Sequence, residues 1–168
     1  MHTLLRALRQ RQPPQPSYAR VVGNVRDLNK QAMQRLQTYI VEDSPVIRDS
    51  LIATLEELAP VSVVGVAEDQ TTATQWLADS SHRAALVIID IFLKGGSGLG
   101  VLQACAGARP GRKMVVLSNY ATPDMRRKCL DLGADRVFDK STEIDALIAY
   151  CERLATGGAI DSVPAALV

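Results

Sequence analysis

The sequence predicts an α/β fold, a parallel sheet of five strands covered by helices on both faces. Three observations predict it. Short apolar segments begin near Tyr39, Val61, Ala85, Met114 and Arg136, at intervals of 22, 24, 29 and 22 residues, and each interval holds one strand, one helix and their connections. Ala84 to Ile89 is an unbroken, mostly branched apolar run, too short for a buried helix and suited to a strand covered on both sides. Ser44-Pro45 and Thr122-Pro123 each place a capping residue before a proline at the first helical position, so helices start where the fold needs them.

Taken in order, the first strand is Thr38 to Val41. The helix from Pro45 carries Ile47, Leu51, Leu55 and Leu58 at helical spacing, which predicts one buried stripe. A second helix spans Thr71 to Ala78 and holds the only tryptophan, Trp76, as a packing residue. Leu99 to Ala106 is a third, and Asp124 to Leu132 a fourth, stopped by Gly133. The fifth runs from Thr142 to Ala155, with Thr142 and Asp145 reading as a capping pair and Gly157-Gly158 as its end. The domain so outlined is 37–156, preceded by a basic, Pro/Gln-rich segment 1–36 and followed by a short tail, 157–168.

Composition narrows the class. Aliphatic residues abound and aromatic ones make up only 4%, as expected for helices packed on a Val/Ile/Leu sheet. Residues 1–38 carry a net charge of +6 and 39–168 one of −5, a basic arm before a mildly acidic domain. The stretch QRQPPQP from Gln10 to Pro16 is expected to be extended or unstructured, and Met33 is an alternative natural start. Cys105, Cys129 and Cys151 show no metal-ligand spacing and are odd in number, which argues for a reducing cytoplasm and against a disulfide framework. No membrane span is expected, because the longest apolar run is too short.

The polar residues at the strand ends carry the chemistry. Strand one runs into Glu42-Asp43, strand three into Asp90, strand four into Ser118-Asn119 and strand five into Lys140. Parallel strands put these ends on one rim, and if strands one and three are neighbours, Asp43 and Asp90 meet at the topological switch point where such sheets bind ligands. Carboxylates brought to about 5 Å repel by roughly 3 kcal/mol at an effective dielectric near 20. A proton or a cation relieves that repulsion. Hard oxygen donors without His or Cys favour Mg²⁺. A magnesium site facing a hydroxyl and a lysine has the parts for phosphoryl transfer, with Asp90 as nucleophile and Lys140 and Ser118 taking phosphoryl oxygens.

Glu42-Asp43, Asp90, Ser118 and Lys140, in that order on this frame, resemble the receiver domain of bacterial two-component response regulators, over about Thr38 to Leu154. The resemblance implies a flavodoxin-like (βα)5 doubly wound sheet with strand order 2-1-3-4-5. It implies a phosphorylation-activated switch of a two-component system or phosphorelay. The phosphoryl group would pass from a histidine kinase or a histidine phosphotransfer protein to Asp90. It further implies that Asp43, Asp90 and the backbone carbonyl of Phe92 hold Mg²⁺, that Glu42 acts mostly through water, and that Ser118 and Lys140 sense the phosphoryl group. On such a frame Val46 and Ser50, pointing away from the stripe of the first helix but near Asp43, are candidate contacts for the kinase.

The chain also departs from the family's pattern. Val137 stands where many receivers carry an aromatic switch residue, Ser141 where proline often follows the lysine, and Asn119 where a small residue often follows the serine. The chemistry stands apart from these positions; the route of output does not. Phe92 and Tyr120, two residues beyond Asp90 and Ser118, are poor at orienting water and predict a long-lived phosphorylated state.

Other functions on this frame fit less well. A flavodoxin-type carrier needs a Ser/Thr-rich phosphate loop where Asp43-Ser-Pro stands. A haloacid-dehalogenase-type phosphatase needs a second Asp where Phe92 stands. Ser/His/Asp hydrolysis finds only His2 and His82, neither at the rim. The expectation is therefore not an enzyme, beyond assisting its own phosphorylation and dephosphorylation; the alternative is a phosphorylation-independent receiver-like scaffold or dimerisation module. No helix-turn-helix follows the receiver and the basic arm lacks interleaved aromatics apart from Tyr18, so no direct DNA binding is expected. The signal is expected to leave through a downstream protein or a homodimer, by the surface near Ser118 and Lys140.

Overall fold

The computed structural model describes residues 35–107 and 111–157. The expectations for the basic arm and for Gly158 and the tail beyond it lie outside the described residues. Among the described residues five strands alternate with five helices: β1 (Leu36–Val41), α1 (Pro45–Leu58), β2 (Val61–Ala67), α2 (Gln70–Ala78), β3 (Leu86–Ile89), α3 (Gly98–Cys105), β4 (Lys113–Ser118), α4 (Pro123–Asp131), β5 (Arg136–Asp139) and α5 (Ile144–Ala155). All strand pairs are parallel and the order is β2-β1-β3-β4-β5, as a flavodoxin-like sheet requires. Strands β1 and β3 are neighbours, Val41 lying opposite Ile89, so the residues that follow them emerge side by side.

Strand periodicity divides the core into two layers. Tyr39, Val41, Val87, Ile89, Met114 and Val116 face α2, α3 and α4, where Ala73, Leu77, Val101, Leu102 and Cys129 complete the packing. Ile40, Leu86, Ile88, Val115, Leu117 and Phe138 face α1 and α5, against Leu51, Leu55, Leu147, Tyr150 and Cys151. Successive side chains of one strand thus reach opposite layers, which is why β3 reads as a continuous apolar run. Trp76 packs as expected, its ring stacked 3.9 Å from Tyr39 on one side and 4.4 Å from His82 on the other. The three cysteines are free thiols, and burial pushes the Cys151 thiol up to about 12.

The capping signals hold at α1 and α4, where the Ser44 and Thr122 hydroxyls accept from the N–H groups of Ile47 and Met125 at 3.5 and 3.3 Å. Gly133 and Gly157 follow α4 and α5 in the left-handed conformation.

Two expectations are corrected. Only Leu51 and Leu55 of the α1 stripe are buried, while Ile47 and Leu58 are exposed. Ile47 lies in the first turn of α1 and Leu58 is its last residue, so both stand at the ends of the buried face, where fewer neighbours cover them. The α5 cap is Glu143, not Thr142, and its side chain makes no capping bond. Asp139 turns the chain first by accepting from the N–H groups of Ser141 and Thr142, which spends Thr142 in a turn. No helix among the described residues is long and apolar enough to cross a membrane.

Candidate functional site

The strand ends deliver their side chains to one rim because backbone hydrogen bonds carry the sheet past the last core residue. Glu42 N–H donates to the Ala67 carbonyl at 2.9 Å, Asp90 N–H to the Val41 carbonyl at 2.9 Å, and Lys140 N–H to the Ser118 carbonyl at 3.1 Å. Carboxylate oxygens of Glu42, Asp43 and Asp90 lie within 4.8 Å of one another. Glu42, Asp90 and Ser118 are buried. Such a cluster needs compensation, and Lys140 supplies part of it. Its ammonium pairs with Glu42 Oε2 at 2.6 Å and with Asp90 Oδ2 at 2.8 Å. Burial works to lower the lysine's pKa, but the bonds and charges of Asp90 and Glu42 outweigh burial and raise it.

The remaining carboxylate oxygens divide by role. Asp90 Oδ1 accepts from Ile91 N–H at 2.7 Å and Glu42 Oε1 from Ser44 N–H at 3.1 Å. Asp43 is not among the partners of Lys140. Three carboxylates against one ammonium leave a formal charge of −2, which a single divalent cation matches. The donor set contains only oxygen, and the Phe92 carbonyl accepts no hydrogen bond from the described residues. Carboxylates together with a spare carbonyl fit Mg²⁺. Ser118 Oγ accepts from Tyr120 N–H at 3.3 Å, an arrangement that leaves its proton to be donated elsewhere.

Over this rim stand Phe92 and Tyr120, exposed and edge to face with ring centroids 5.9 Å apart. Val46 is 80% exposed. With Ile47, Ser50, Leu51 and Thr54 it lines one side of a groove of about 340 Å³ that reaches Lys140 and Ile144.

The response regulator receiver domain family matches residues 38–152. This chain belongs to that family. Its receiver is 25% identical over 127 residues to a nitrate/nitrite response regulator protein homolog of Haemophilus influenzae, covering 75% of this chain and 60% of that protein. It is 29% identical over 110 residues to a protein-glutamate methylesterase/protein-glutamine glutaminase of Myxococcus xanthus, covering 65% of this chain and 31% of the relative. The chain thus spans less than two thirds of these curated relatives. Among solved structures, the receiver domain of the Francisella response regulator 1452 shares the fold with a TM-score of 0.64 at 19% identity, over 73% of this chain and 98% of that one. The receiver domain of the putative response regulator NarL from Mycobacterium tuberculosis gives 0.60 at 20%, over 70% and 96%. The family is one of phosphorylation-activated switches in two-component signalling, whose receivers work with histidine kinases or phosphotransfer proteins.

Three features of the receiver escape sequence reasoning. Gly98 packs so tightly on the Asp90 carbonyl that any Cβ there would overlap it, and the glycine-rich loop was the only hint. Gln70, in α2, bonds into the loop after Asp90. Arg126 donates to the carbonyls of Ala121 and Val137 and to Glu143, tying the loop after Ser118 to β5 and to the start of α5. No spacing pattern announces either of the last two contacts.

Proposed function

We propose that this receiver is phosphorylated on Asp90 by the phosphohistidine of a histidine kinase or a histidine phosphotransfer protein. A carboxylate oxygen of Asp90 forms the new bond to phosphorus as the phosphorus–nitrogen bond breaks, and the electron pair stays on the imidazole nitrogen. The observation that carries this reading is the uneven pairing of the three carboxylates: Lys140 is shared by Glu42 and Asp90, and Asp43 remains for a metal ion. Asp43, Asp90 and the Phe92 carbonyl would hold Mg²⁺, with Glu42 acting through water. When bound, the ion supplies charge neutralisation for the incoming phosphoryl oxygens. Lys140 stabilises one phosphoryl oxygen and the Ser118 hydroxyl donates to another, both held in place before the reaction.

The groove beside Val46 and Ser50 suits the helix of a phosphohistidine donor, since it is apolar and ends at Lys140. Output passes to a downstream protein or a second copy through the surface of α4, β5 and α5, in the cytoplasm. The test is incubation of the full chain with a small-molecule phosphodonor while Mg²⁺ is varied. Labelling should require the metal, vanish in Asp90→Asn, and in Asp43→Ala demand at least about tenfold more Mg²⁺, the equivalent of one lost charged ligand at ~1.4 kcal/mol. Metal-independent labelling at wild-type rate in both variants contradicts the proposal.

A further inference from the structure

The loop that follows Asp90 is not held by its own residues alone. Asp69 and Gly95 form an isolated parallel bridge, and Gln70 N–H donates to the Gly95 carbonyl at 2.8 Å. Gln70 Oε1 in turn accepts from Ser97 N–H at 3.0 Å. The Gln70 side chain lies in a notch that exists because residues 96 and 100 are glycines. A Cβ at either position would collide with its carboxamide, and Gly96 has φ +81°. Ser97 then connects to the site, because it bridges antiparallel to Phe92 and Gly98 N–H donates to the Ile91 carbonyl at 2.8 Å. The chain of contacts therefore runs from Gln70 through Ser97 to the backbone of Phe92.

The platform that carries Gln70 is itself fixed. Asp69 caps α2 by accepting from Thr72 N–H at 2.8 Å, Ala73 and Leu77 are buried, and Trp76 is clamped between two rings. A side chain on so rigid a helix start can set the height of a glycine-rich loop that has little stiffness of its own.

We propose that Gln70 is a positioning residue that holds the Phe92 carbonyl at metal-binding height, an inference that rests on the Mg²⁺ site proposed above. The carboxamide acts through Ser97 and touches neither the metal nor the phosphoryl group. Its loss leaves the carboxylates in place and frees the loop, so the defect falls on metal affinity.

The experiment compares the full wild-type chain with Gln70→Met, which keeps the bulk but not the acceptor, Gln70→Glu, which keeps an acceptor at the same reach, and Gln75→Ala, an exposed change on the same helix. Mg²⁺ binding is measured by calorimetry, and Ser97 amide exchange by NMR in metal-free protein. Gln70→Met should weaken Mg²⁺ binding about fivefold and speed Ser97 exchange by a similar factor, as loss of one hydrogen bond implies. Gln70→Glu and Gln75→Ala should stay within about twofold of wild type, the experimental margin for an intact hydrogen bond. Wild-type Mg²⁺ affinity and Ser97 exchange in Gln70→Met overturn this inference alone. A wild-type chain that takes up no Mg²⁺ overturns the reading of the site, and this inference with it.

Discussion

Asp90 presents its two oxygens to unlike partners, one to the Ile91 N–H and one to the Lys140 ammonium, and the residue two positions later, Phe92, is exposed. Phe92 and Tyr120 meet edge to face over the rim. Phe92 has no polar group with which to orient a water for attack on an acyl phosphate, and Tyr120 has only its weakly basic phenol. Phe92→Asn should therefore shorten the lifetime of the phosphorylated state by about tenfold, less than the roughly hundredfold or more that a fully positioned general base contributes, measured as loss of label after the donor is removed. An unchanged half-life would show that the ring pair does not gate water. At this scale the sequence was informative where chemistry is local. The five rim residues could be read because each stands at the end of a strand or within two residues of it. Gln70 could not, because its partner Ser97 lies 27 positions away and a lone glutamine at a helix start has many uses.

Among the elements, α4 and α5 are joined by a network that stands where the aromatic switch residue of many receivers is replaced by Val137. Arg126 donates to the Ala121 carbonyl at 2.9 Å, to the Val137 carbonyl at 2.7 Å and to Glu143 at 2.6 Å. Glu143 also accepts from Asp139 N–H at 2.6 Å. Burial favours the protonated carboxyl of Glu143, but Arg126 and the Asp139 N–H outweigh it and lower its pKa.

The ion pair is about one third exposed on each side, so the charge attraction itself contributes about 0.5 kcal/mol. The charged bonds to two carbonyls are the larger part. Arg126→Ala should thus cost about 2 kcal/mol in denaturant unfolding, whereas Glu143→Gln, which keeps an acceptor for Asp139, should cost about 0.5 kcal/mol. Equal losses would mean that the ion pair and not the carbonyl bonds holds these elements together. The sequence located α5 but misplaced its cap, because the turn at Asp139 captures the Thr142 N–H before the helix begins. Likewise the α1 stripe was read as four buried residues, although helical spacing fixes a face and not how well the two ends of that face are covered.

For the molecule as a whole, the five-fold strand and helix rhythm was legible because both layers of the core obey simple periods. The same burial sets the alkaline limit of the fold. Burial pushes the Tyr39 hydroxyl up to about 12, with Asp69 adding to it, and burial does the same to Tyr150. Both hydroxyls are buried without a hydrogen-bond partner among the described residues. An unfolded tyrosine ionises near pH 10, so above that pH the unfolded state holds fewer protons and stability falls, by about 1.4 kcal/mol per pH unit for each tyrosine. Lys140 acts in the same direction: its pKa is raised in the fold, so its contribution is complete below its unfolded value and is lost as pH rises through the folded one. Ionisation of Tyr39 and Tyr150, followed by ultraviolet absorbance, should coincide with loss of far-ultraviolet helix signal. Tyrosinate from both residues near pH 10 with the helices intact would contradict this account of the core.

On the reading proposed here, the rim assembled by β1, β3, β4 and β5 carries a phosphoryl group on Asp90. Peptide mapping by mass spectrometry after exposure of the full chain to phosphodonor and Mg²⁺ tests it most directly, with the acyl phosphate trapped by borohydride reduction. The predicted result is a single modified residue, Asp90, absent when Mg²⁺ is chelated and absent in Asp90→Asn. Modification of another residue, or none under conditions where the fold is intact, would contradict it.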